Sequence, residues 1–248
     1  MTNPFASEAM AAGYATARPP VHAQILELAR PHLPKVVPLA LDIGCGSGLS
    51  TKPLLPVTKQ CIGLEPSEAM LRYAKAVAPA AAYVAASAEA IPFHSRTFSL
   101  ITAAGSLNYV NLDRFFPEAA RLLTPGGVLL VYDFSPGQSE GDSQWLTEFQ
   151  CRYPPPPNEA QALDPELLLK AAPGFRLKAH RSFHVLLTLT LSAYLNYILT
   201  ETNVSHAVRH GTPIEEIRCW CQQTLDPIWQ GREQQVVFPG YFACLTVP

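Results

Sequence analysis

Leu41-Asp42-Ile43-Gly44-Cys45-Gly46-Ser47-Gly48 ends an apolar run that starts at Pro38. A short apolar run bounded by glycines reads as a buried strand, here 38–43, that passes through a turn directly into a helix. Gly44, Gly46 and Gly48 admit positive φ and carry no Cβ, so backbone N–H groups can approach a ligand closely. The polar atoms of that ligand would sit at the carboxyl end of the first strand, where open α/β sheets bind ligands. Glu65 lies beyond a second strand, 59–64, where an acid about twenty residues after such a loop accepts hydrogen bonds from both ribose hydroxyls.

Working outward, apolar runs at 81–85, 97–103 and 127–133 read as further strands, with helical segments falling between them. Leu112, Phe115, Phe116, Ala119 and Leu123 recur at helical steps, which predicts a helix over 112–123 stopped by Pro125-Gly126-Gly127. A helix over 67–78 opens on Ser67 as N-cap, with Glu68 in its first turn. Residues 135–157, rich in Pro and Gly, read as a loop with one helix near 143–151. Beyond them the pattern predicts a helix at 164–172, a strand over 175–187, helices at 191–202 and 213–229, and a last strand near 235–247. No linker separates two halves, so 1–248 is expected to be one domain: an N-terminal helical cover (1–37), a cofactor-binding core (38–134), then helical additions with the last two strands (135–248).

With 248 residues, 48% hydrophobic and 15% charged, the chain can bury a sizeable core. A formal net charge of −2 and a pI of about 6.4 remove the basic footprint of a nucleic-acid or membrane-surface binder. The longest apolar run, Val185 to Leu195, is too short for a bilayer span, and the N-terminus lacks a basic start followed by an apolar stretch. A cytoplasmic location is expected. Six scattered cysteines do not make a disulfide scaffold, and Cys219 and Cys221 lack the spacing of a metal site, so no metal is expected.

LDIGCGSG, GLEPSEAML, SAEAIPF, FSLITAAGSLNYV and RLLTPGGVLLVYDF resemble, in order and spacing, the class I S-adenosylmethionine-dependent methyltransferases, and within them the type 11, UbiE-like subgroup acting on small molecules. The resemblance covers 38–134 clearly and extends more weakly to Tyr14 and Arg18-Pro19. It implies an α/β fold: a doubly wound, mostly parallel, Rossmann-like sheet of seven strands with a helical cap inserted near the C-terminus. It also implies S-adenosylmethionine as cofactor. Asp42, Gly44, Cys45 and Gly46 would hold the methionine end, Glu65 the ribose, and Pro66 the adenine face. Ala88 and Glu89 would line the adenine edge, where the family usually has Asp in place of Ser87, a neutral and weaker acceptor. Ala104, Gly105 and Ser106 would pass beside the transferring methyl group, and Arg18, near Tyr14, stands either as a partner of the cofactor carboxylate or as a structural surface arginine.

Methyl transfer from a sulfonium is an in-line displacement, so the protein chiefly aligns acceptor, methyl and sulfur. Asn108, Tyr109 and His206 are the expected acceptor-site residues, and Asp133 stands either as a strand end or as a substrate contact. Trp145, Tyr153, Tyr194, Tyr197 and Trp220 are candidates for an apolar acceptor pocket. The expected partner is a small-molecule acceptor, and oligomeric state stays open. The alternative is a catalytically inactive S-adenosylmethionine-binding assembly or regulatory protein. A nicotinamide dinucleotide would need G-x-G-x-x-G, which Leu49 breaks.

Overall fold

A computed structural model describes residues 8–139, 141, 143–156, 168, 172 and 174–247. Five parallel strands, β1 (Leu39–Ile43), β2 (Gln60–Leu64), β3 (Ala82–Val84), β4 (Phe98–Ala104) and β5 (Leu123–Phe134), lie in the order β3-β2-β1-β4-β5. The last long strand, β8 (Gln234–Thr246), runs antiparallel beside β5, and β7 (Arg176–Leu189) pairs antiparallel with the other edge of β8. All seven expected strands are present, joined by a two-residue β6 (Gln138–Ser139) that pairs with β8 on the side of β5.

Alternate strand residues face opposite sides of the sheet, and both sides are covered. Ala40, Leu100, Val128, Leu130 and Tyr132 pack with Phe238, Phe242 and the helices α2 (Val21–Ala29), α5 (Ser143–Arg152), α6 (Leu191–Ile198) and α8 (Ile214–Trp229). Leu41, Ile43, Ile101, Leu129 and Val131 pack against Phe115, Phe116 and Ala119 of α4 (Leu112–Leu122). Ser67 and Asn111 cap α3 (Glu68–Val77) and α4, their side chains accepting from the backbone N–H of Met70 and Arg114. The N-terminal helix α1 (Glu8–Ala17) lies between α3 and α6.

Several elements depart from the sequence pattern. No α-helix follows the glycine loop directly; a turn and a 3-10 stretch, Lys52–Val57, replace it, because Pro53 and Pro56 each remove an N–H from the helical ladder. The link from β3 to β4 holds no helix. Helix α4 stops at Leu122, before Pro125-Gly126-Gly127, since Leu123 is already extended (ψ 135°) and begins β5. The helix expected over 191–202 ends at Ile198: the Thr200 hydroxyl donates to the Tyr197 carbonyl, competing with the helical ladder, and Glu201 turns extended (ψ 150°). A separate helix, α7 (Thr202–Arg209), then carries Asn203, His206 and Arg209, which were expected in a connection. The helix expected over 164–172 lies largely outside the described residues, of which Leu168 and Ala172 are buried.

Gly240 of β8 passes so close to β5 that a Cβ would run into the Asp133 carbonyl oxygen and lie 2.6 and 2.8 Å from ring carbons of Phe183. Gly240→Ala is therefore expected to lower unfolding free energy by about 1–3 kcal/mol, read from urea titration.

Candidate functional site

The glycine loop is fastened by Asp42 from below. Its side chain is fully buried: Oδ2 accepts from the hydroxyls of Ser50 and Thr51, and Oδ1 from that of Thr102 on β4, each at 2.7 Å. Burial raises the Asp42 pKa, and the three hydroxyls pull it back down. This carboxylate thus acts first as the anchor of the loop. Neither Ser50, Thr51 nor Thr102 stood out in the sequence, although two hydroxyl residues just beyond the last glycine were there to be noticed.

Each of the three glycines meets a different constraint. A Cβ on Gly44 would collide with the Ser106 side chain, and one on Gly48 would lie 3.0 Å from Cα of Ala74 in α3. Gly46, at φ +52°, faces open space, with nothing within 4 Å of its built Cβ. Its N–H donates to Glu65 Oε2 at 3.2 Å, while Ser67 N–H donates to Oε1 at 2.9 Å. Glu65, 7% exposed, therefore ties the loop to the end of β2, and burial raises its pKa. Cys45 is buried in the loop, its N–H donating to Leu64 O at 3.1 Å, and Pro66 beside Glu65 is exposed.

At the rim beyond β3, the Ser87 hydroxyl donates to Glu89 Oε2 at 2.7 Å, and Glu89 Oε1 accepts from Asn111 N–H at 3.0 Å. Ala88 is buried between them. Burial opposes ionisation of Glu89, but these hydrogen bonds outweigh it and lower the pKa.

After β4 and β5 the chain brings Asn108 and Asp133 together. Asn108 Nδ2 donates to Asp133 Oδ2, and Phe134 N–H donates to Oδ1, both at 2.8 Å. A Cβ on Gly105 would lie 3.0 Å from Asp133 Oδ1, so the carboxylate rests against the backbone of Gly105. Burial raises the Asp133 pKa. Ala104 precedes this contact at the end of β4. Tyr109 is 43% exposed.

Arg18 is enclosed by the N-terminal cover and the cap. Its Nη2 donates to Tyr14 Oη at 2.9 Å and to the Thr200 carbonyl at 3.1 Å, and Nη1 lies 3.1 Å from Glu201 Oε1. The guanidinium also sits over the Tyr14 and Tyr197 rings, at 4.2 and 5.1 Å from their centroids. Burial disfavours its charge, but Glu201 and the tyrosines outweigh this and raise its pKa. Arg18 Nε is buried and meets no acceptor among the described residues. Glu201, unremarked in the sequence, became visible only through the break between α6 and α7.

The His206 ring lies 4.2 Å from that of His210, the residue that ends α7. Trp145, Tyr153, Tyr194 and Tyr197 are buried in the core. A histidine passed over in the sequence does belong here. His22, in the first turn of α2, places Nδ1 3.0 Å from the Tyr132 hydroxyl, and burial, helped by Arg18, lowers its pKa to about 4. All six cysteines are free, and no group of three His, Cys, Asp or Glu among the described residues is arranged to hold a metal. No helix among them is long and apolar enough to cross a membrane.

Residues 41–131 match a family model described as a methyltransferase domain. A Dictyostelium discoideum protein named as a methyltransferase is 32% identical over 121 residues, 49% of this chain and 46% of that protein. Demethylmenaquinone methyltransferase of Renibacterium salmoninarum is 32% identical over 96 residues, 38% of this chain and 40% of the relative. The chain thus spans less than half the length of these curated relatives. A solved structure described as a type II methyltransferase from Anaeromyxobacter dehalogenans superposes with a TM-score of 0.70 at 22% identity, covering 91% of this chain and 95% of that one. Phosphoethanolamine N-methyltransferase 2 of Haemonchus contortus, solved with S-adenosyl-L-methionine, gives a TM-score of 0.55 at 17% identity, over 92% of this chain and 52% of that one. These likenesses establish the doubly wound fold.

His22 is neutral in the folded protein and ordinarily titrates near 6.5 when unfolded, so below that pH the unfolded chain binds the extra proton. This contribution to stability is present above about 6.5 and is lost at up to about 1.4 kcal/mol per pH unit as pH falls toward about 4. Urea unfolding at pH 7, 6 and 5 should show His22→Gln losing correspondingly less stability on acidification than the unaltered protein.

Proposed function

We propose that this chain, whose residues 41–131 match a methyltransferase domain model, binds S-adenosylmethionine and transfers the methyl group to a small-molecule acceptor. The observation that carries this reading is the cradle at Gly46: a left-handed glycine facing open space, with a buried carboxylate behind its N–H. Glu65 accepts one backbone hydrogen bond on each oxygen and keeps lone pairs for ribose hydroxyls. Arg18 Nε, buried without an acceptor, fits a cofactor carboxylate, although the two Nη atoms already serve Tyr14, Thr200 and Glu201. When bound, the cofactor supplies a methyl group on a positively charged sulfur.

The protein's part is alignment and proton handling. Asp133 lies against Gly105, the stretch assigned to the methyl path, and Asn108 orients its carboxylate. With the cofactor bound, the methyl group would pass to the acceptor as its bond to sulfur breaks and the electron pair stays on sulfur, and Asp133 would hold or take the proton the acceptor releases. Asn108 is then a positioning residue and Tyr109 an exposed edge of the acceptor site.

Calorimetric titration with S-adenosylhomocysteine should show binding, weakened by about 1.5–3 kcal/mol in Glu65→Ala. Absence of binding in the unaltered protein would sink the reading, and binding without transfer to any metabolite pool would point to an inactive binding protein instead.

With an acceptor in hand, Asp133→Asn should lower kcat about 10²- to 10⁴-fold with little change in cofactor affinity. The ionised carboxylate is the active form, so activity should fall as pH drops through the raised Asp133 pKa. Asn108→Ala, which removes a hydrogen bond that lowers that pKa, should move the acid limb of kcat to higher pH.

A further inference from the structure

The strand order β3-β2-β1-β4-β5 puts the glycine loop after β1, and the Gly105 stretch after β4, between the carboxyl ends of β2 and β5. Helix α1 reaches both of those flanking strands. In its N-terminal half, Ala11 packs in one small cluster with Ala69 and Met70, which stand in the first turn of α3, just past Glu65 at the end of β2. Beyond its C-terminal end, Arg18 is followed by the first turn of α2, where His22 Nδ1 lies 3.0 Å from the hydroxyl of Tyr132 on β5. Three strand spacings of about 4.8 Å separate β2 from β5, about 14 Å in all. A ten-residue helix rises about 15 Å, so α1 has the length to cross the whole cradle.

The two halves of α1 are held unequally. Gly13 comes so close to the cap that a Cβ would lie 3.2 Å from Thr200 Cγ2, and the Tyr14 hydroxyl accepts from Arg18 at 2.9 Å. Arg18 in turn holds the Thr200 carbonyl and Glu201, a largely buried pair that neither partner can leave without stranding a charge. The N-terminal half has far less. Among the described side chains of α1 only Ala11 is fully buried, and its cluster is separate from the two large ones on the faces of the sheet. Glu8 pairs with Arg72 of α3, but these side chains are 57% and 62% exposed, where water and salt screen the attraction. A segment with so few buried apolar contacts opens at low cost while the core stays folded.

We propose that α1 is a lid over the cofactor cradle, pivoting at Arg18 and swinging its N-terminal half off α3 to admit S-adenosylmethionine. The proposal rests on the methyl-transfer reading. Pro19 and Pro20 divide α1 from α2, which is held to β5 through His22, so the motion ends at the prolines. Closed, the lid excludes water from the cradle while the methyl group is transferred.

The test is amide hydrogen exchange on the unaltered full chain, with and without S-adenosylhomocysteine. The ligand is expected to slow exchange over residues 12–17, the amides that helical bonds protect, by about tenfold or more, while those of β4 stay slow in both states. Exchange over α1 that is equally slow without ligand would show a rigid cover and overturn the proposal. Exchange that is equally fast in both states would show a helix that never closes, with the same consequence. Ala11→Glu, which sets a charge against Ala69 and Met70, is expected to speed S-adenosylhomocysteine release about tenfold in surface plasmon resonance, and unchanged release would also overturn the lid. Should that variant not fold, the exchange comparison on the unaltered protein still decides. Calorimetry with S-adenosylhomocysteine keeps the two readings apart: no binding removes methyl transfer and the lid with it, whereas binding without a change over α1 removes only the lid.

Discussion

The site depends on one buried charge. A carboxylate taken out of water costs several kcal/mol unless its lone pairs are satisfied. Asp42 meets that requirement with three hydroxyls, two from the far end of the loop excursion and one from the neighbouring strand. The chain leaves β1 at Asp42, turns through the glycines, and returns to the same carboxylate at Ser50 and Thr51, so both ends of the loop are pinned to one point. Thr102 extends the pinning to β4, and so to the segment that carries Gly105 and Asn108.

Once the loop is pinned, its glycines are explained by what surrounds them more than by freedom of rotation. Ser106 donates its hydroxyl to the Ile43 carbonyl at 2.8 Å and so presses on Gly44, while α3 presses on Gly48. Only Gly46 is left facing outward. The same economy of space recurs at Gly105 against Asp133, which places a carboxylate of raised pKa beside the main chain.

Arg18 and Glu201 connect parts far apart in the chain, since one follows α1 and the other separates α6 from α7. A pair this enclosed is stabilised by mutual charge and by the Tyr14 and Tyr197 rings, and either partner alone would be a costly buried ion. The cover and the cap therefore meet over the carboxyl edge of the sheet. Loops and insertions at this edge are where α/β folds carry their specificity.

Much of the core was legible in the residues themselves. The strand runs at 38–43, 59–64 and 97–103, the Ser67 cap and the stripe from Leu112 to Ala119 are local signals, set by side-chain period and capping chemistry, and local physics is what a sequence displays directly. Gly44, Gly46 and Glu65 stood out for the same reason. What tertiary structure alone decided depended on partners distant in sequence: Thr102 reaching Asp42 across sixty residues, Asn108 meeting Asp133, His22 held neutral beneath Tyr132, and Glu201 brought to Arg18 by a helix break at Thr200. The break itself turned on a single hydroxyl competing with the helical ladder, a contest that periodicity does not register. Charge pairing and burial are properties of the assembled molecule, and the residues that suffer or relieve them carry no mark until the chain has folded.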